Sequence, residues 1–353
     1  MRIRRTATVS VLAVLAVMLM SFGQAAIAEQ KPFAPLNRPG PKLSVKTATL
    51  KAALKCSGSF TANKLEPVLL SPGTGTTPDQ NFSWNYERAF TAQHRPWCAV
   101  TMPHHALGEM QSAGEYLVYG IRTMHAKAHR RIAILGHSQG GMSMRWALRF
   151  WPDTRPMVDD VIGLAGDNHG TTVVSGLCNP GKGKCTPAQW QQTSTANYVK
   201  AMNSRAETFA GISYTEVFSH TDEVVQPNLT DQDSTSALHT GKGRITNVST
   251  QDICPLDVNE HLLIGTIDPA AYALSMDALT HDGPAKPARI SRSVCAQVYQ
   301  PGVDPLEANT YLQIIAVLPG LLSVSLPGIN LVGAPEVSNE PTLRCYVYSD
   351  RCR

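Results

Sequence analysis

The sequence predicts an α/β domain with a mostly parallel central sheet and helices on both faces. From about residue 60 onward, short apolar runs of strand length alternate with stretches whose apolar residues recur at helical spacing. Several of those runs are apolar at every position, as strands covered on both sides require. The 353 residues, 43 % hydrophobic and 16 % charged, suffice for one large core, and nothing in the composition suggests disorder.

The chain opens with Arg2, Arg4 and Arg5, continues with an apolar run from Val9 to Met20, and reaches Ala26-Ile27-Ala28. That order of charge, hydrophobe and small residue predicts a secretory signal peptide over residues 1–28, cleaved after Ala28. A membrane anchor needs about 18 unbroken apolar residues; this run is shorter and is interrupted at Ser21, Gly23 and Gln24. Cleavage would remove three arginines and no acid, taking the formal net charge from +4 to +1. So small an excess gives no reason to expect nucleic acid or an anionic membrane as partner.

All eight cysteines follow the leader: Cys56, Cys98, Cys178, Cys185, Cys254, Cys295, Cys345 and Cys352. An even count in an exported chain predicts disulfides, with the pairing left open by sequence alone. No C-x-x-C and no paired histidines stand at metal-ligand spacing, so no metal is expected; no organic cofactor is expected either.

Residues 29–60, rich in Pro and Lys, read as an extended lead-in. The main domain is placed at 61–295. Its strands are expected at Pro67 to Leu70, Trp97 to Met102, Ile132 to Leu135, Val158 to Ala165, 212–218 and 244–250, with helices over Gly114 to His129 and from Ser138 to about Phe150. The stretch 168–195 breaks the alternation and is a candidate insertion over the site. Residues 296–353 are expected as a flap or tail on the same domain. Within them Tyr311 to Val332 is apolar but contains Pro319, Gly320, Pro327 and Gly328, which argues against a membrane span and for an amphipathic flap.

Gly136-His137-Ser138-Gln139-Gly140 matches G-x-S-x-G and lies between an apolar strand and a helix. This is the setting of a nucleophile elbow, which lifts a serine hydroxyl above the sheet of an α/β-hydrolase. A serine needs a base to take its proton, and the base needs a carboxylate to fix its tautomer. In this fold the order is Ser, acid, His. Asp222 follows the strand ending at Phe218, with Asp167 as its rival after Ala165. Of eleven histidines, His261 stands at a suitable distance after the strand at 244–250. His281 is late and beside a turn, His220 and His239 come early, and His104, His105 and His137 are out of order. Ser71-Pro72-Gly73-Thr74-Gly75-Thr76-Thr77 follows the first sheet strand, where Thr74 would join Gln139 as an oxyanion donor.

Four stretches resemble the Candida antarctica lipase B family, in the same order: Pro72-Gly73-Thr74-Gly75-Thr76-Thr77, Ser138-Gln139-Gly140-Gly141, Trp190-Gln191-Gln192-Thr193 and Thr221-Asp222-Glu223-Val224-Val225-Gln226-Pro227. The likeness runs from about Cys56 to Cys295. It implies Ser138 as nucleophile, Asp222 as acid, His261 as base, and Thr74 (by hydroxyl as well as N–H) and Gln139 as oxyanion donors. It also implies Asp167, Gln192 and Val224 along the pocket, and bridges Cys56 to Cys98, Cys254 to Cys295 and Cys345 to Cys352. Cys178 to Cys185 finds no counterpart there and would staple a local elaboration near the lid. Three departures bear on specificity. Gly136 replaces a non-glycine, His137 stands where the family has a pocket-shaping Trp, and Glu260 replaces the Asp before the histidine.

The expected function is therefore a secreted, monomeric lipase or carboxylesterase acting on acylglycerol or related lipophilic esters, at a lipid–water interface if at any surface. A polyester hydrolase, thioesterase or acyltransferase would use the same triad. A non-catalytic envelope-binding protein on this scaffold is the alternative of another class.

Overall fold

Seven strands form one sheet: Leu54–Cys56 (β1), Val68–Ser71 (β2), Trp97–Val100 (β3), Ile132–His137 (β4), Val158–Leu164 (β5), Ser213–Phe218 (β6) and Arg244–Ser249 (β7). Their order is β1-β3-β2-β4-β5-β6-β7, with β1 antiparallel to β3 and every other pair parallel. The protein is described from a computed structural model over residues 32–61, 64–181, 183–308 and 333–350. The expected leader, the flap segment 311–332 and Cys352 lie outside the described residues.

Strands β2 and β4 are buried at every position because both faces are covered. Side chains alternate between two cores, as the strand repeat dictates. Leu69, Ile132 and Ile134 pack with Leu117, Ile121 and Met124 of the helix Met110–Ala128 and with Met142 of the helix Gln139–Phe150. Val68, Leu70, Ala133 and Leu135 pack on the other face with Phe82, Tyr86 and Phe90, and with Ala271, Leu274 and Ala278 of the helix Pro269–Thr280.

Two boundaries differ from the sequence reading. The lead-in 29–60 is not wholly extended, since it contains the helix Thr47–Ala52 and the edge strand β1. Three residues, Leu54-Lys55-Cys56, are too few to show a period; tertiary pairing places them, with Cys56 opposite Cys98. The helix predicted from Gly114 begins at Met110, because the Glu109 carboxylate accepts from the Gln111 and Ser112 N–H groups and caps it.

Disulfides join Cys56 to Cys98, Cys178 to Cys185 and Cys254 to Cys295. Cys345 is also disulfide-bonded. The 168–195 stretch forms two short helices, Thr172–Leu177 and Pro187–Gln191, with the Cys178–Cys185 bond between them. The C-terminal segment closes on this stretch. Cys185 and Val337 exchange backbone hydrogen bonds, and the Trp190 indole donates to the Val337 carbonyl at 2.9 Å. Leu343 and Val347 then enter the core. Among the described residues no helix is long and apolar enough to cross a membrane.

Candidate active site

Ser138 occupies the turn between β4 and the following helix with φ 55° and ψ −128°. A non-glycine residue rarely adopts positive φ, and such strain persists where the surroundings over-determine it. Here the Ser138 N–H donates to the Leu164 carbonyl at 2.8 Å. The flanking glycines make the turn possible: a Cβ on Gly136 would lie 2.4 Å from the Gly140 carbonyl carbon, and one on Gly140 would lie 2.0 Å from the Ser71 oxygen.

The Ser138 hydroxyl faces His261 Nε2 at 2.9 Å, and His261 Nδ1 faces Asp222 Oδ2 at 2.8 Å. All three residues are buried. Asp222 follows β6 through Ser219-His220-Thr221, and its Oδ1 accepts from the Val224 and Val225 N–H groups at 2.9 and 2.8 Å. The Ser219 and Thr221 hydroxyls donate to the Asn259 carbonyl at 2.7 and 2.9 Å, tying the acid loop to the base loop. His261 opens the short helix His261–Ile264, which Glu260 caps by accepting from Leu262 N–H. Burial lowers the affinity of His261 for a proton. The adjacent Asp222 charge and hydrogen bond, with Glu223 and Glu260 nearby, outweigh this and leave its pKa above the usual 6.5.

Thr74 lies beside Gln139 and Gln192. Its hydroxyl is 2.7 Å from Gln139 Oε1 and 3.1 Å from Gln192 Oε1, while Gln192 Nε2 donates to Gln139 Oε1 at 3.2 Å. One hydroxyl hydrogen serves two acceptors, so the shorter contact to Gln139 holds it. Above Ser138 opens a pocket whose walls include Thr74, His137, Gln192, Val224 and His261, with Val173, Val174, Val225 and Leu262 making it largely apolar. The 168–195 stretch supplies Thr171, Val173, Val174, Gln189 and Gln192 to those walls.

Asp167 follows β5 in the chain. It is fully buried and is not among the residues that line the pocket above Ser138. Ala165, at φ 50°, turns the chain inward after β5. Neither carboxylate oxygen has a partner, and burial, reinforced by the Asp222 charge, pushes its pKa up to about 7. Three further histidines pair with carboxylates: His220 with Asp231, His281 with Asp277, and His169 with Glu207.

Asn81 was not singled out from sequence, although its oxygen accepts from Gly73 N–H at 3.0 Å and it lines the pocket. Its helix is legible in Thr77-Pro78-Asp79-Gln80, a capping box with proline in the first turn. Among the described residues one acidic trio, Glu66, Asp159 and Asp160, is close enough to share an ion. It sits at the N-terminal ends of the strands, opposite Ser138, and Arg131 pairs with Asp159 at 2.9 Å.

No family model matches the chain. It is 31 % identical over 313 residues to Lipase B of Pseudozyma (Candida) antarctica, an alignment covering 87 % of this chain and 86 % of that protein. The crystal structure of Aspergillus fumigatus lipase B superimposes with a TM-score of 0.76 at 30 % identity, over 89 % of this chain and 75 % of that one. With 31 % identity along most of both chains and a shared sheet architecture, the protein belongs to the lipase B family of the α/β-hydrolase superfamily, and is a lipase or esterase.

Proposed function

We propose that the protein is a secreted serine carboxylic ester hydrolase that works through an acyl-enzyme on acylglycerols or related lipophilic esters. The observation that carries this reading is the hydrogen-bonded line from Asp222 through His261 to Ser138. His261 takes the hydroxyl proton as Ser138 Oγ attacks the ester carbonyl, and Asp222 stabilises the imidazolium. The oxyanion is held by the backbone N–H groups of Thr74 and Gln139, and the Thr74 hydroxyl turns from Gln139 Oε1 toward it. His261 returns its proton to the departing alkoxide, so the alcohol leaves. Water, deprotonated by the same imidazole, then attacks the acyl-enzyme; the proton passes to Ser138 as the acid is released.

The apolar wall of Val173, Val174, Val224, Val225 and Leu262 suits an acyl chain. The disulfides fit an oxidising compartment, consistent with the leader read in the sequence. The test is turnover of p-nitrophenyl esters of rising chain length, with a thioester and an emulsified triacylglycerol alongside. Turnover of the oxygen esters that disappears in Ser138→Ala supports the reading, and unchanged turnover in that variant contradicts it.

A further inference from the structure

His137, the last residue of β4, lies between two parts of the site that the reaction needs in register. It is only 4 % exposed. Its Nε2 is 2.9 Å from the backbone oxygen of His261, and its Nδ1 is 3.1 Å from Asn81 Oδ1. The two imidazole rings are 5.2 Å apart and tilted by 34°. Gly265 stands against the ring, and a Cβ there would fall 2.2 Å from His137 Cδ2. At φ −84° the backbone of Gly265 suits any residue, so the glycine provides room for the imidazole and not a special conformation.

The two contacts are unequal. Both facing oxygens only accept, and the contact from Nε2 to the His261 carbonyl is the shorter, so the proton is placed on Nε2. Burial, with His261 adding to it, pushes the His137 pKa down to about 3. The ring is therefore neutral near pH 7 and has a single N–H to give. Spent on the His261 carbonyl, it leaves a lone pair on Nδ1 facing an amide oxygen that already accepts from Gly73. The bond to His261 is the strong half and the Asn81 contact the weak one.

We propose that His137, by donating its Nε2–H to the His261 carbonyl, fixes the main chain of the base at the distance from Ser138 that proton transfer requires. The proposal rests on the serine-hydrolase reading above. His137 is a positioning residue, since its nitrogens engage the base's backbone and Asn81 while Ser138 Oγ is reached by His261. The loop that carries His261 has no strand to hold it, and misplacing a catalytic group by about 1 Å can cost on the order of 100-fold in rate.

The experiment is steady-state hydrolysis of a soluble short-chain ester by His137→Phe, His137→Gln, His137→Asn and Gly265→Ala, with kcat expressed per fluorophosphonate-titrated site. Titration counts folded, competent serines, so partial unfolding does not pass for a misplaced base. Phe keeps a ring without a donor, Gln places an N–H near Nε2, and Asn places one only near Nδ1. The expected result is a fall in kcat of roughly 10- to 100-fold for His137→Phe with KM within about threefold. Gln restores most of that loss, Asn does not, and Gly265→Ala lowers kcat by displacing the ring. Unchanged kcat per site in His137→Phe, or rescue by Asn and not by Gln, overturns the proposal. Should His137→Phe fail to fold, the contrast between Gln and Asn decides alone. Turnover retained by Ser138→Ala would instead overturn the serine-hydrolase reading, whatever the His137 variants do.

Discussion

His261 Nε2 lies 2.9 Å from Ser138 Oγ although 123 positions of sequence separate the two residues. The distance is that of a hydrogen bond ready for proton transfer, and it is set by two different loops at the C-terminal end of one sheet. Asp222 holds the far side of the imidazole and is itself fixed by the Val224 and Val225 N–H groups.

Asp222→Asn is expected to lower kcat by roughly 10,000-fold while leaving the fold intact, because the amide favours the wrong imidazole tautomer. Steady-state kinetics with a circular dichroism control checks this. A loss of less than about tenfold would assign the orienting role elsewhere.

The pH dependence follows from the raised pKa of His261. The free enzyme needs the neutral imidazole, so kcat/KM should fall as pH drops, with a midpoint above 6.5. A profile measured from pH 5 to 9 tests it. A flat acid side, or a midpoint well below 6.5, would contradict the role of His261 as base.

Thr74→Val removes the hydroxyl that reaches Gln139 and Gln192 but leaves the backbone donor. Loss of one oxyanion donor predicts a drop of about 100-fold in kcat with KM little changed. A change confined to KM would make Thr74 a binding residue only.

Asp167 predicts a pH-dependent stability difference. Its carboxyl is buried and its pKa is raised from 3.8 to about 7 in the folded chain. Between those values the unfolded chain gives up its proton more readily, so rising pH weakens the fold. Asp167→Asn lacks this penalty. Its stability relative to the parent should grow from pH 4 to pH 7 by up to about 4 kcal/mol. Denaturant melts at both pH values measure it, and a pH-independent difference would mean that Asp167 ionises freely.

The sequence made the centre of the sheet legible because its strands are apolar throughout and its elbow is marked by glycines. Gly136 and Gly140 could be read from their motif, and the structure supplies the reason in two contacts too close for a Cβ. The edge strand β1 was not legible, since three residues carry no period and their place comes from pairing with β3. The burial of Asp167 and the contact of His137 with the His261 carbonyl depend on how distant loops fold back, which no local pattern records. Asn81 escaped notice because its importance lies in a side-chain contact to Gly73 and not in a motif.

The most direct measurement is peptide mapping by mass spectrometry after treatment with a fluorophosphonate. A single adduct on the peptide containing Ser138, absent from the His261→Ala variant at matched exposure, is the predicted result. An unlabelled protein, or an adduct on a different serine, would contradict the account at its centre.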